Sequence, residues 1–90
     1  MRGNMRDTKY ATELATANLD VGDGHEARIE KIFVKELSQE EIRFSWWSKG
    51  KFMRQALDLP EEDLLKLFQL AIDEKVFTES FLQRLKNILP

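Results

Sequence analysis

Pro60 divides this chain into two stretches that differ in hydrophobic periodicity. Upstream of it, residues 28–57 are rich in β-branched and aromatic side chains, which is typical of strands. Downstream, apolar residues recur at the short, regular intervals that are typical of amphipathic helices. Proline fits neither the interior of a strand nor that of a helix, but it does fit a first helical turn. The sequence therefore predicts an α+β domain with strands first and helices last.

Two C-terminal helices are predicted after Pro60. The acidic residues 61–63 place negative charge at the positive end of the first helix dipole. Thr78 caps the second helix, and Phe77 and Leu82 have the spacing of a hydrophobic staple. The apolar stripes consist of Leu64, Leu67, Phe68, Ala71 and Ile72 in the first helix, and of Phe81, Leu82, Leu85, Ile88 and Leu89 in the second. We expect both helices to pack on one face of the sheet.

A three-stranded antiparallel meander is predicted before Pro60, because turn-forming residues interrupt the apolar runs. Gly50 tolerates positive φ, so Lys49 and Gly50 form a two-residue hairpin loop. This loop places Trp47 opposite Phe52. The predicted strands are 28–35, 42–48 and 51–57.

The hairpin register sorts the side chains onto two faces of the sheet, because successive residues of a strand point to opposite sides. The face predicted to meet the core carries Ile42, Phe44, Trp46, Met53 and Leu57. The outer face carries Arg43, Ser45, Trp47, Phe52, Arg54 and Ala56. A four-residue turn at 38–41 adds Ile32 and Val34 to the outer face, which then needs a cover: the N-terminal segment, a second copy or a partner protein.

Residues 1–27 have few large apolar side chains and are predicted to form a flexible arm that precedes a single domain at 28–90. Within this arm, Asp7 or Thr8 caps a short helix that runs through Asn18. Residues 20–25 then form a Gly- and Asp-rich loop. Its His25 is interpreted as a solvated side chain rather than a base or a ligand.

The composition narrows the classes of function. The chain has no Cys and one His, so it has no disulfide framework and no thiolate zinc site. The acidic loop lacks the spacing of a calcium loop, and we find no catalytic pair, so we expect no enzyme, no cofactor and no metal. No apolar run approaches the ~18 residues of a membrane span, and the polar start lacks a signal-peptide core. We expect a cytoplasmic protein with no membrane partner.

A basic, aromatic surface on the hairpin is the candidate binding site, and it consists of Arg43, Trp47, Lys49, Lys51, Phe52 and Arg54. Aromatic rings beside cations suit single-stranded nucleic acid, since bases stack on the rings while Lys and Arg meet the phosphates. A structural interpretation stands beside this one. Trp47 and Phe52 then form a covered cross-strand pair, and the lysines protect the hairpin tip against aggregation.

Residues 29–74 resemble the single-strand-binding transcriptional coactivator (positive cofactor) family. The resemblance rests on strands that lead through Ala56-Leu57-Asp58-Leu59-Pro60-Glu61-Glu62 into a helix beginning Leu64-Leu65. Ala56 stands where the family has glycine, and the family has no second helix like 79–89. The resemblance implies a dimer that binds nucleic acid along its sheet, with Arg43, Trp47, Phe52 and Arg54 as contact positions.

Two functions follow as expectations. The first is a small non-enzymatic protein-interaction or assembly module, which associates with a second copy or another chain through the outer sheet face and the Leu-rich helix surface. The second is an accessory protein that binds single-stranded DNA or RNA through residues 42–57. The net charge of −2 counts against the second, because affinity for nucleic acid rests on phosphate neutralisation. Net charge is positive over 28–57 and negative over 58–83, so neighbouring copies attract each other.

Overall fold

The computed structural model describes residues 6–53 and 55–90 and confirms the α+β class, with an antiparallel sheet followed by two helices. The strands lie in the order β1-β2-β3-β4, and β5 also pairs with β3. The strands are β1 (Ala11–Gly22), β2 (His25–Val34), β3 (Gln39–Ser48), β4 (Lys51–Phe52) and β5 (Leu57–Leu59), and the helices are α1 (Glu61–Asp73) and α2 (Glu79–Ile88).

The N-terminal segment departs most from the sequence prediction. β1 pairs with β2 from Ala11 to Gly22, so the predicted flexible arm with a helix through Asn18 is wrong for residues 11–22. Residues 1–5 of the predicted arm lie outside the described residues. The alanine, asparagine, aspartate and glutamate residues of this segment have little β-propensity of their own, and the strand forms because β2 supplies a hydrogen-bonding partner along its length.

A tight turn at Asp23-Gly24 joins β1 to β2, in place of the predicted loop. Both residues have positive φ, 55° and 79°. A two-residue turn of this kind matches the twist of the flanking strands, and Asp-Gly is among its preferred sequences. The turn brings His25 into β2, where its ring stacks on that of Trp46 at a centroid distance of 5.4 Å. The interpretation of His25 as a solvated loop residue is therefore wrong.

The predicted hairpin at Lys49-Gly50 is confirmed, with Trp47 paired to Phe52. The predicted third strand 51–57, however, is split into β4 and β5. Phe44 pairs with Leu57, two residues beyond the partner that an unbroken register gives it. Gln55, between the two short strands, has a φ of 68°, a left-handed conformation that interrupts strand pairing.

The turn between β2 and β3 falls at residues 35–38, earlier than the predicted 38–41. Ile32 consequently pairs with Glu41 rather than with Trp47. The shift is an even number of residues, so each side chain keeps its face. Ile32 and Trp47 therefore share one face, as predicted, and both are buried.

α1 begins directly after Pro60, as predicted, and packs against β3 and β5. α2 begins after Thr78, whose hydroxyl accepts a hydrogen bond from the Phe81 amide at 3.0 Å. Neither helix contains a fully buried residue. The predicted α1 stripe is mostly half-buried, whereas Phe81, Ile88 and Leu89 of the α2 stripe are exposed. Across residues 6–53 and 55–90, no helix is long and apolar enough to cross a membrane.

Candidate functional site

The two faces of the sheet differ in how they are covered. The face that carries Trp47, here called the charged face, is closed by side chains of the chain itself. Its buried members are Ala11, Glu13, Glu30, Ile32, Glu41, Ser45 and Trp47. The N-terminal segment contributes two of these residues, Ala11 and Glu13, and Glu13 pairs with Ile32.

Trp47 lies at the centre of the charged face and is only 7% exposed. The guanidinium carbon of Arg28 lies 3.8 Å from its ring centroid, and that of Arg6 lies 5.1 Å away. Arg28 is fixed over the ring because its Nε and Nη2 donate to Glu26 Oε1 at 2.9 and 2.7 Å. Cations over a tryptophan ring are favourable, and they occupy the surface on which a base would stack.

Buried carboxyl groups lie beneath this arginine cover. Trp47 Nε1 donates to Ser45 Oγ at 3.0 Å, and Ser45 Oγ donates to Glu30 Oε1 at 3.1 Å. Arg6 N donates to the carboxylate of Glu13 at 2.9 Å. Burial, and next the adjacent Glu13 carboxyl, raise the pKa of Glu30 above its usual range. Protonation of Glu30 removes the charge repulsion between the two carboxyl groups.

Arg43 closes the other end of the charged face through a two-pronged pair with Asp58. Its Nε and Nη2 donate to the two carboxylate oxygens at 2.8 and 2.9 Å. The hydrogen bond to Asp58 raises the pKa of Arg43 further above its usual range. This fork-to-fork geometry ties β5 to β3 immediately before α1, so Arg43 has a structural role that accounts for its position.

The candidate residues are therefore only partly brought together. Trp47 and Phe52 form an edge-to-face pair with centroids 5.3 Å apart, which matches the structural interpretation of these two rings. Lys49 and Lys51 lie exposed at the hairpin tip. Arg54 lies outside the described residues. With Trp47 covered and Arg43 paired, the placement of these residues does not favour a stacking platform for nucleic acid.

The opposite face carries an open apolar groove of about 520 Å³, which the sequence analysis did not identify. Three successive strands contribute to it because Ala17 pairs with Ile29, and Ile29 with Phe44. Trp46 closes one side, stacked against His25. The apolar lining consists of Ala17, Leu19, Ala27, Ile29, Phe44 and Trp46. We refer to this surface as the apolar groove.

Large apolar side chains in the apolar groove are exposed to solvent. Trp46 is 45% exposed, Ile29 50% and Leu19 63%. The prediction that Trp46, Met53 and Leu57 face a covered core is therefore wrong, while Ile42 and Phe44 are half-buried. The reason is that α1 covers only the end of this face near Ile42, where Glu61 approaches Lys31. A strand pattern identifies the apolar face but not the extent of the helix that covers it.

A signal for the groove was present in the sequence. Asp23-Gly24 after the alternating Ala17, Asn18 and Leu19 is a hairpin signal, and the hairpin places those residues beside Ala27 and Ile29. No family model, curated protein or solved structure matches the chain. The resemblance to the single-strand-binding coactivator family therefore stays a prediction.

Proposed function

We propose that this chain is a small non-enzymatic interaction module that self-associates through the apolar groove and the apolar surface of its helices. The observation that carries the proposal is the groove itself, where a half-exposed Trp46 lies beside exposed Ile29. Contiguous apolar surface of this kind marks interaction sites, whereas single exposed apolar residues do not. The contact surface is thus the face opposite to the one expected from the sequence.

The total surface of the chain supports the proposal. The accessible area is 7507 Å², whereas a compact monomer of this mass exposes about 5,500 Å². The radius of gyration is 14.7 Å, against about 12 Å for a compact chain of this length. The excess area is on the order of 1,000–2,000 Å², which is comparable to what one partner contributes to a stable interface. Burying it against a second copy gives the helices and the groove the cover that they lack.

The test is the mass of the protein in solution as a function of concentration. Sedimentation of the unmodified chain should show a species of twice the 10.6 kDa chain mass at micromolar concentration. Trp46→Glu places a charge in the apolar groove and should weaken association at least about tenfold, because a buried unpaired charge is costly.

Leu37→Glu is the matched control, since Leu37 is an exposed leucine in the β2–β3 turn, away from the groove. This variant should associate like the unmodified chain. A monomer at all concentrations, or equal weakening by both substitutions, contradicts self-association through the groove.

A further inference from the structure

α2 presents an apolar stripe that the described structure covers only in part, since Leu85 is half-buried while Phe81 and Ile88 are exposed. Phe81, Leu85 and Ile88 line one side of the helix together. Their spacing, i, i+4 and i+7, is that of the anchor residues with which an amphipathic helix enters an apolar groove. Ile88 is 78% exposed.

α2 is also held away from its own sheet. The ring of Phe77 lies between those of Phe68 and Phe81, at centroid distances of 5.1 and 5.0 Å. These ring contacts attach the start of α2 to α1. Within the described ranges, α2 makes no close contact with any strand. The helix is thus formed and capped, with its stripe available to a different molecule.

The apolar groove is a suitable receptor for this stripe. Its lining is aliphatic and aromatic, and its volume of about 520 Å³ lies within the range of protein binding clefts. The acidic Asp23 lies in the turn at the β1–β2 end of the sheet, and the basic Arg84 lies beside the α2 stripe. Opposite charges at the rim of a contact favour the encounter.

We infer that α2 of one chain packs into the apolar groove of a second chain, and that the second chain returns the same contact. This inference rests on the proposed self-association and specifies which surfaces meet. Each chain carries one helix and one groove, so two chains related by a twofold axis satisfy both sets of surfaces and form a closed dimer. The excess exposed area of each chain is of the size that such a reciprocal contact buries.

The test mixes two variants that are damaged on different surfaces. Trp46→Glu disables the groove, and Ile88→Glu disables the helix stripe. Each variant alone should self-associate at least tenfold more weakly than the unmodified chain, because each of its two contacts has one damaged side. An equimolar mixture should recover dimers, since the intact α2 of the Trp46→Glu chain enters the intact groove of the Ile88→Glu chain.

The mixture should therefore associate more tightly than either variant alone and less tightly than the unmodified chain. Circular dichroism and Trp47 emission confirm that both variants remain folded. Normal association of Ile88→Glu alone overturns the inference in favour of groove-on-groove contact and leaves the proposed function standing. Normal association of Trp46→Glu alone shows that the apolar groove is not part of the contact between chains. An unmodified chain that stays monomeric refutes the proposed function itself.

Discussion

The two faces of the sheet differ in how well they are shielded from solvent. Polar side chains shield the charged face, whereas the apolar side chains of the opposite face remain exposed. On the charged face, arginines lie over Trp47 and carboxylates pair with them, so a tryptophan among charged residues is 7% exposed. On the opposite face, Trp46 lies among alanine, isoleucine and phenylalanine and is 45% exposed. Long arginine side chains supply their own cover, whereas short aliphatic ones need another element to pack against. The charged face is therefore closed within the chain, whereas the apolar groove is the surface for which we propose association.

The largest expected effect distinguishes the two adjacent tryptophans. Trp47→Ala should lower the free energy of unfolding by about 3–5 kcal/mol, because it empties the centre of the charged face. Trp46→Ala should lower it by less than about 1 kcal/mol in the monomer, because half of that side chain is already in solvent. Denaturant unfolding at the lowest usable protein concentration gives both values.

Trp47→Phe is the milder substitution to measure if Trp47→Ala does not fold. It keeps a smaller ring beneath the arginines, but it removes the hydrogen bond to Ser45 and part of the buried ring volume, so the loss should be about 1–3 kcal/mol, less than for alanine. Similar losses for the alanine variants at 46 and 47 mean that the two faces do not differ as described.

A smaller difference is expected between two ion pairs. Arg43→Gln breaks a half-buried bidentate pair and should cost about 1.5–3 kcal/mol. Lys31→Gln breaks the exposed pair between Lys31 and Glu40, 3.3 Å apart, and should cost less than about 1 kcal/mol. Arg43→Lys should not restore the lost stability, because lysine has no planar guanidinium with which to form two parallel hydrogen bonds to Asp58. Hydrogen exchange should show that the amides of β5 lose protection in the Arg43 variants alone.

Glu30 should make the stability of the charged face depend on pH. Its raised pKa means that the folded chain binds a proton more readily than the unfolded chain, so stability is greatest below the ordinary glutamate pKa. That stability is lost as pH rises through the raised value. Glu30→Gln keeps a neutral side chain at this position and should lose less stability than the unmodified chain as pH rises above the ordinary glutamate pKa. A difference of about 1 kcal/mol corresponds to about 4–8 °C in the melting temperature of a domain this small.

Glu36→Gln, at an exposed turn position, controls for the loss of one negative charge. Identical pH profiles for Glu30→Gln and the unmodified chain mean that Glu30 does not determine the pH dependence of stability.

The smallest expected effect is the change in tryptophan emission when single-stranded nucleic acid is added. Titration of the chain with labelled single-stranded oligonucleotides at low salt should quench the tryptophan emission little at micromolar protein, because Trp47 is covered and Arg28 and Arg43 are paired. The exposed Lys49 and Lys51 supply few phosphate contacts. Strong quenching that is lost in Trp47→Phe supports the nucleic-acid function instead.

The sequence was informative where local chemistry decides the structure. The first helix begins after Pro60, Thr78 caps the second, and Lys49-Gly50 turns the hairpin, and each of these features depends on a few adjacent residues. β1 was missed because its alanines, Asn18 and Asp20 do not favour a strand by themselves and gain strand structure by pairing with β2. The exposure of Trp46 was missed because it depends on where α1 ends over the sheet, which no strand pattern encodes.

Quenching of each tryptophan by acrylamide as a function of protein concentration tests the difference between the faces most directly. Trp47→Phe leaves Trp46 as the sole tryptophan, and Trp46→Phe leaves Trp47. Trp46 should be readily quenched in dilute protein and become protected as the chains associate, whereas Trp47 should be protected at every concentration. A Trp46 that stays equally accessible while the mass doubles contradicts the account, because association then occurs elsewhere on the molecule.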